Sequence, residues 1–287
     1  MRCSFLGLGV MGYPMAGHLA RREHSVTVYN RTPAKAEAWV REFGGKRAAS
    51  PREAAIGAEV VVVCVGDDPD VRAVVLGPHG ALEGMGAGTL LIDHTTASAE
   101  LARELEHACE AVSVGFVDAP VSGGQAGAVN GQLSVMCGGA DEAVDRARAI
   151  FSAYAKIVAH QGPAGTGQLC KMVNQICIAG VLAGLAEGLD FAARAGLDPE
   201  KVVAAISKGA AQSWQMENRH RTMVEGRFDF GFAVDLMRKD LDICCRTADA
   251  IGADLPIIEE VAERYAEVSA MGGGRWDTSS LIALLQR

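Results

Sequence analysis

MRCSFLGLGVMG, at residues 1–12, is the pattern on which the fold prediction depends. Its apolar run, Met1–Leu6, predicts a β-strand, and three glycines then lead into a predicted helix, Met11–Arg22. In this context Gly7 permits a tight turn, Gly9 lets the backbone approach a pyrophosphate, and Gly12 lets the helix pack close to the sheet. The free N–H groups at the helix start would face the phosphates. The pattern predicts a dinucleotide site, with a Gly-rich turn without a ligand as the alternative; its residues are Gly7, Leu8, Gly9, Val10, Met11 and Gly12.

Short β-branched runs alternate with helical stretches as far as residue 160. Such alternation predicts an α/β fold, a doubly wound sheet with helices on both faces. The predicted strands after the first are Ser25–Tyr29, Glu59–Val65, Thr89–Asp93, Gly115–Ala119, Leu133–Cys137 and Ile157–His160, and the predicted helices include Pro33–Phe43 and Ala97–Val112.

The character of the chain changes at the breaker cluster GPAGTG, residues 162–167. Beyond it the pattern contains no convincing strand and instead predicts one long apolar helix, Gln168–Ala195. We therefore predict two domains, residues 1–163 and residues 164–287, the second all-helical. Its further helices are expected near Pro199–Lys208, Trp214–Glu225, Ala233–Ile251 and Pro256–Met271.

Composition and charge exclude several classes of protein. Of the 287 residues, 49% are hydrophobic and 22% charged, enough to bury a large core. The net charge of -8 disfavours a nucleic-acid partner, because an acidic chain repels a phosphate backbone. The eight cysteines form no CxxC pair and the seven histidines no HxxxH pair, so we expect reduced thiols and no metal site. The chain starts with a strand rather than a cleavable signal, and no apolar run reaches the roughly 20 residues of a membrane helix. We expect a soluble, cytoplasmic protein with no membrane contact.

The end of the second predicted strand indicates the cofactor. Enzymes that use NAD usually carry Asp or Glu there to hold the ribose 2′-OH. This chain has Asn30, Arg31 and Thr32 instead, with no carboxylate to repel a 2′-phosphate and a guanidinium to bind it. The pattern favours NADP over NAD. The alternative is a solvated Arg31, with Asn30 capping the next helix.

A polar stripe begins the long helix, at Gln168, Lys171, Asn174 and Gln175. Residues three or four apart share a helix face, so these side chains lie together among apolar neighbours. Burying a lysine there costs free energy of folding unless the ammonium group is hydrogen-bonded or paired. One explanation is catalysis, in which Lys171 donates a proton to a substrate carbonyl oxygen, or accepts a proton in the reverse reaction. Asn174 would hold the lysine or the substrate oxygen in line. The alternative is a lysine that extends to water.

A second candidate site follows the strand Gly115–Ala119. Open α/β sheets bind ligands at the carboxyl ends of their strands. Ser122 and the N–H groups of Gly123 and Gly124 could cradle a carboxylate there, which predicts a small carboxylate-bearing substrate. A plain Pro/Gly turn is the alternative.

Four blocks of the chain, in this order, resemble the β-hydroxyacid dehydrogenase family. The likeness covers nearly the whole chain and is closest to the NADP-using glyoxylate/succinic semialdehyde reductase branch. It implies a Rossmann-type domain, a long interdomain helix, an all-helical C-terminal domain, and a homodimer or homotetramer. The blocks are GLGVMG at 7–12, DAPVSGG at 118–124, GTGQLCKMVNQ at 165–175 and LMRKDLDI at 236–243.

The resemblance also implies roles for single residues. Lys171 matches the catalytic lysine and Asn174 its polar companion, and the substrate-carboxylate loop matches Ser122, Gly123 and Gly124. Thr96 matches a Ser/Thr pair near the nicotinamide, and Lys239 a lysine that reaches the cofactor from the C-terminal domain. We add Val65 to the expected cofactor contacts and Thr95 to the expected substrate contacts.

The expected activity is hydride transfer between NADP(H) and a small 3-hydroxy acid or semialdehyde, with Lys171 as general acid and base. Two alternatives are an imine reductase-like enzyme and a non-catalytic NADP-binding interaction module. Imine reductases usually replace the catalytic lysine, and scaffold proteins of this kind have lost it. The retained Lys171, Asn174 and Ser122 therefore favour the dehydrogenase.

The sequence leaves the roles of three positions undetermined. The family often has Asn-Asn where this chain has Asn174 and Gln175, so the role of Gln175 is undetermined. Trp214 fits either a pocket wall or a core residue, and we expect the core. His94, next to Thr95, could carry protons, but we expect it to pack or cap.

Overall fold

The computed structural model describes residues 1–286 and divides the chain into two compact units, of which the first is Met1–Lys171. The strands of this unit form one sheet in the order β3-β2-β1-β4-β5-β6-β8-β7, with β9 beside β8. The strands from β3 to β6 in this order are parallel, whereas β8 runs antiparallel to β6 and β7. The strands are β1 (Arg2–Leu6), β2 (Ser25–Tyr29), β3 (Lys46–Arg47), β4 (Val60–Val63), β5 (Leu90–Asp93), β6 (Gly115–Asp118), β7 (Val121–Ser122), β8 (Leu133–Gly138) and β9 (Ala155–Gly162).

Helices cover both faces of this sheet, as the doubly wound prediction requires. All four residues of β4 are buried, because a central parallel strand is covered on both sides. Phe5 and Trp39 belong to the core cluster on one face, and Val61 and Leu101 to the cluster on the other. The predicted fold class is confirmed. The helices are α1 (Gly12–Arg21), α2 (Pro33–Phe43), α3 (Pro51–Ala55), α4 (Asp68–Val75), α5 (Ala99–Glu110), α6 (Gly124–Val129) and α7 (Asp141–Phe151).

The second unit begins at Met172 and is helical, also as predicted. Its core is built from apolar side chains such as Leu182, Met223 and Tyr265. The helix α8 begins in the first unit, so the boundary between the units falls inside it. The helices are α8 (Thr166–Arg194), α9 (Pro199–Ile206), α10 (Trp214–Val224), α11 (Val234–Ile251) and α12 (Pro256–Val268), followed by a π-turn at Ser269–Gly273 and a 3₁₀ helix at Thr278–Leu284.

The helix α8 corrects one expectation from the sequence. By length and composition alone, α8 is long and apolar enough to cross a membrane. This differs from the expectation that no apolar run of the chain is as long as a membrane helix. A core helix of a globular protein can have the same length and apolar composition, so these two properties alone do not indicate a membrane helix.

Candidate active site

The three glycines of the first turn have different surroundings. Gly7 has a φ of +100°, and a Cβ placed there would overlap the carbonyl oxygen of Cys64. A Cβ on Gly12 would overlap the carbonyl oxygen of Gly7. A Cβ on Gly9 would meet no atom of the chain within 4 Å. The fold itself therefore requires Gly7 and Gly12, whereas Gly9 leaves open space that a pyrophosphate fits, next to the start of α1.

Asn30 holds this turn from the end of β2. Its side-chain oxygen accepts a hydrogen bond from the Leu8 N–H at 2.8 Å, and its amide nitrogen donates to the Thr32 carbonyl at 3.1 Å. Thr32 is the N-cap residue of α2 but makes no capping bond with its side chain. The alternative interpretation of Asn30 as a helix cap is therefore wrong, because its side chain faces the glycine turn instead.

Arg31 extends into solvent at the same edge of the sheet. Its side chain is 85% exposed, and its Nη1 donates to Asp70 Oδ1 on α4 at 3.0 Å. Asp70 is not predictable from the sequence, since nothing in the local pattern shows that α4 brings this carboxylate to the Arg31 side chain. The guanidinium that we assign to the 2′-phosphate therefore has an acidic neighbour.

The loops after β4 and β5 are joined by Thr95. Its hydroxyl oxygen accepts a hydrogen bond from the Val65 N–H at 3.1 Å, and its own N–H donates to Asp93 Oδ1 at 2.9 Å. Thr95 is buried, and Thr96 beside it is half-buried. The side chain of Thr95 thus links two loops that carry predicted cofactor contacts.

Two buried carboxyl groups lie at adjacent strand ends, on Asp93 of β5 and Asp118 of β6. Burial raises the pKa of Asp93 to about 7, against the opposing effect of the hydrogen bonds from Thr95. Burial also raises the pKa of Asp118, which accepts hydrogen bonds from the N–H of Gly165 at 2.8 Å and of Gln168 at 2.9 Å. Asp118 therefore caps the start of α8, a role that the local sequence does not reveal.

The loop proposed to bind a carboxylate is open to solvent. Gly123 and Gly124 have φ values of +128° and +60°, which favour glycine. Both are exposed, and a Cβ on Gly124 would meet nothing within 4 Å. Ser122 ends β7 and is half-buried. The backbone here is accessible to a small anion.

Lys171 lies in the first unit and is only 7% exposed. One turn earlier on α8, Gln168 donates from its Nε2 to the Thr95 carbonyl at 2.7 Å. Its Oε1 accepts from the Ala97 N–H at 3.1 Å. The turn of α8 that precedes Lys171 is thus bonded to the loop after β5.

His94 is a structural residue. Its Nδ1 donates to the Ala119 carbonyl at 2.5 Å, and its Nε2 accepts from the Tyr154 hydroxyl at 2.8 Å. Burial lowers the pKa of His94 to about 4, so the ring is neutral near pH 7. Both ring nitrogens are occupied, which agrees with the expectation that His94 packs rather than carries protons.

In the second unit, Asn174 and Lys239 belong to one polar network. Asn174 Nδ2 donates to Gln175 Oε1 at 2.8 Å, and Gln175 Nε2 donates to Asp240 Oδ2 at 2.6 Å. Lys239 Nζ lies 3.0 Å from Asp240 Oδ1. The buried Gln175, left undetermined by the sequence, therefore connects α8 to the predicted cofactor lysine on α11.

Trp214 is 52% exposed, which corrects the expectation that it lies in the core. The guanidinium of Arg219 sits 4.8 Å from the centre of its indole ring. Phe232 is half-buried, and its N–H donates to Asp277 Oδ2 at 3.0 Å. An aromatic residue at the first position of a helix can face solvent, and the local sequence does not distinguish this from burial.

Most predicted site residues lie in the first unit. Residues that follow the carboxyl ends of β1, β2, β4 and β5 are the glycine turn, Asn30–Thr32, Val65 and Thr95–Thr96. The loop Ser122–Gly124 comes after β6, and Ser122 is the last residue of β7. Open α/β sheets bind nucleotides at the carboxyl ends of their strands. Asn174 and Lys239 lie in the second unit.

Comparison with known proteins assigns a match to each part of the chain. The sequence model of the NAD binding domain of 6-phosphogluconate dehydrogenase matches residues 2–162. A second family sequence model, NAD-binding of NADP-dependent 3-hydroxyisobutyrate dehydrogenase, matches residues 165–285. The two models together span almost the whole chain.

Full-length relatives show the same relationship. An uncharacterized oxidoreductase of Shewanella frigidimarina is 58% identical over 286 residues, covering 100% of this chain and 98% of the relative. The 2-hydroxy-3-oxopropionate reductase of Escherichia coli is 32% identical and covers 100% and 97%. The structure of Mycobacterium tuberculosis 3-hydroxyisobutyrate dehydrogenase with L-serine is 30% identical, covers 100% of both chains and has a TM-score of 0.91.

Proposed function

This chain belongs to the β-hydroxyacid dehydrogenase family, and we propose on that basis that it uses NADP(H) to interconvert a small 3-hydroxy acid and its semialdehyde, with Lys171 handling the proton. Family membership makes it an NAD(P)-dependent dehydrogenase. The choice of NADP, the substrate class and the role of Lys171 are the proposal.

Residues of the first unit fit a dinucleotide cofactor. When bound, its nicotinamide would supply or take up the hydride. Gly9 leaves room for the pyrophosphate, and Arg31 offers an exposed guanidinium to a 2′-phosphate. No carboxylate stands at positions 30–32 to hold a 2′-OH, which supports NADP over NAD.

The single observation that carries the catalytic proposal is the burial of Lys171 on a turn of α8 that Gln168 bonds to the Thr95 loop. These bonds hold the start of α8, and with it the backbone of Lys171, to the Thr95 loop. In the reducing direction the Lys171 ammonium would donate a proton to the substrate carbonyl oxygen. In the oxidising direction its neutral amine would accept the hydroxyl proton.

The substrate class follows from the loop at Ser122, Gly123 and Gly124. Its accessible backbone, with glycines in left-handed conformation, suits a carboxylate. We therefore propose small carboxylate-bearing substrates, with glyoxylate, succinic semialdehyde, tartronate semialdehyde, methylmalonate semialdehyde and serine as candidates. We also propose that the protein works as a cytoplasmic homodimer or homotetramer, as its family resemblance implies.

The test is steady-state turnover of the carbonyl candidates with NADPH and with NADH, and of serine with NADP⁺ and with NAD⁺, for the wild type, Lys171→Ala and Lys156→Ala. Lys156 is an exposed lysine of the same unit and serves as the matched control. We expect one candidate to react rapidly with NADPH. In Lys171→Ala, kcat should fall about 100-fold or more, while NADPH affinity stays unchanged.

Two results would contradict the proposal separately. Undiminished turnover in Lys171→Ala would remove the proton-transfer role of this lysine. If no candidate is turned over while NADPH still binds, the proposed substrate class is excluded. The assignment of the nucleotide site is unaffected by that result.

A further inference from the structure

We infer that Gln168 is a positioning residue, which holds Lys171 at a fixed place relative to the loop at residues 95–97. The inference rests on the proposed function of Lys171. It concerns only the first unit, in which both residues and the loop lie.

The side chain of Gln168 uses both ends of its amide. Its Nε2 donates to the Thr95 carbonyl at 2.7 Å, and its Oε1 accepts from the Ala97 N–H at 3.1 Å. Gln168 is 1% exposed, so water does not replace either bond. The two loop groups are a backbone acceptor and a backbone donor, and a side-chain amide of this length satisfies both without a change of protonation state.

A second anchor holds the same helical turn. The Asp118 carboxylate accepts hydrogen bonds from the N–H groups of Gly165 and Gln168, at 2.8 and 2.9 Å. A Cβ on Gly138 or on Gly167 would lie 2.7 Å from this carboxylate, so it is closely enclosed. The start of α8 is therefore fixed to the ends of both β5 and β6.

The loop that Gln168 holds is itself tied to the cofactor-binding loops. The Thr95 hydroxyl accepts from the Val65 N–H, and Thr96, the predicted nicotinamide neighbour, lies between the two residues that Gln168 contacts. Lys171 follows Gln168 by three residues, a rise of roughly 4.5 Å along the helix. A shift of this turn would therefore move Lys171 away from the loop.

The geometry predicts a loss of turnover without a loss of cofactor binding. A displacement of about 1 Å in a catalytic group costs on the order of 100-fold in rate. We expect Gln168→Met, of similar volume but without the amide, to lower kcat about 10- to 100-fold, with NADPH affinity unchanged. Gln161→Met, on an exposed glutamine of β9, is the matched control and should leave kcat unchanged.

A double-mutant cycle separates positioning from general damage. If Gln168 acts through Lys171, Gln168→Met should lower kcat in the wild-type background but have no further effect in Lys171→Met. Multiplicative losses in the double variant would overturn the inference, as would full activity of folded Gln168→Met while Lys171→Met is inactive. Full activity of Lys171→Met would instead contradict the proposed function.

Gln168→Glu covers the case in which the methionine variant does not fold. It keeps the length of the side chain and an acceptor for the Ala97 N–H, and the introduced carboxyl group can donate to the Thr95 carbonyl only while it is protonated. We expect its kcat relative to the wild type to fall as pH rises and the carboxyl group ionises, with thermal unfolding and NADPH titration showing an intact first unit. Wild-type kcat in this variant at every pH would also overturn the inference.

Discussion

Alanine at Gly9 and at Gly12 should separate the two reasons for glycine in the first turn. A Cβ on Gly9 meets no atom of the chain within 4 Å, and its φ is not positive. Gly9→Ala should therefore leave the free energy of unfolding unchanged or raise it by about 0.4–1 kcal/mol. The same methyl group would occupy the space that a pyrophosphate needs. We expect NADPH to bind at least about tenfold more weakly, or roughly 1.4 kcal/mol.

Gly12→Ala should show the opposite result for stability. Its Cβ would overlap the Gly7 carbonyl oxygen and lie 3.0 Å from the Phe5 ring. Overpacking of this kind costs about 1–3 kcal/mol, and each kcal/mol lowers Tm by about 2–4 °C in a protein of this size class.

The assays are thermal unfolding and NADPH titration on both variants. Gly86→Ala is the control, because Gly86 also has open space and no positive φ but precedes β5, at the other end of the sheet. This variant should match the wild type in both assays. Wild-type NADPH affinity in Gly9→Ala would refute the pyrophosphate assignment, and wild-type stability in Gly12→Ala would refute the steric argument.

Further predictions concern charge. Arg31→Ala should weaken NADPH binding far more than NADH binding, and equal losses would remove the 2′-phosphate role. Asp70→Asn should strengthen NADPH binding relative to NADH by up to about fivefold, because it frees Arg31 from an exposed ion pair; Asp145→Asn, on α7, should not. Asp93 has a pKa of about 7 in the folded chain, above the roughly 3.9 of an unfolded aspartate, so the folded state binds more protons between these values. The contribution of Asp93 to the free energy of unfolding should therefore fall as pH rises from about 4 to 7 and then level off. In Asp93→Asn, Tm should fall less over this range, and equal slopes for both proteins would contradict the assignment.

Much of the fold could be predicted from the sequence. The predicted bounds of β2 and α2 match the structure, because β-branched alternation marks the first and a proline at its first turn marks the second. Short elements such as α3 and α4 were missed, since five or eight residues barely show a helical period. The same holds for the two-residue strands.

Features that depend on local geometry are visible in the sequence alone. These are the glycine turn, the missing carboxylate at positions 30–32, and the polar stripe that contains Lys171. Backbone sterics and helical periodicity act over a few residues, so the chain shows these features directly.

The groups that connect the elements of the site are known only from the folded structure. Asp118 caps α8 from 47 residues before Gly165, and Gln168 reaches Thr95 across 73 residues. Arg31 meets Asp70 across 39 residues. The physical reason is that a hydrogen bond or ion pair requires only closeness in space. The order of strands in the sheet, rather than spacing along the chain, brings these groups together.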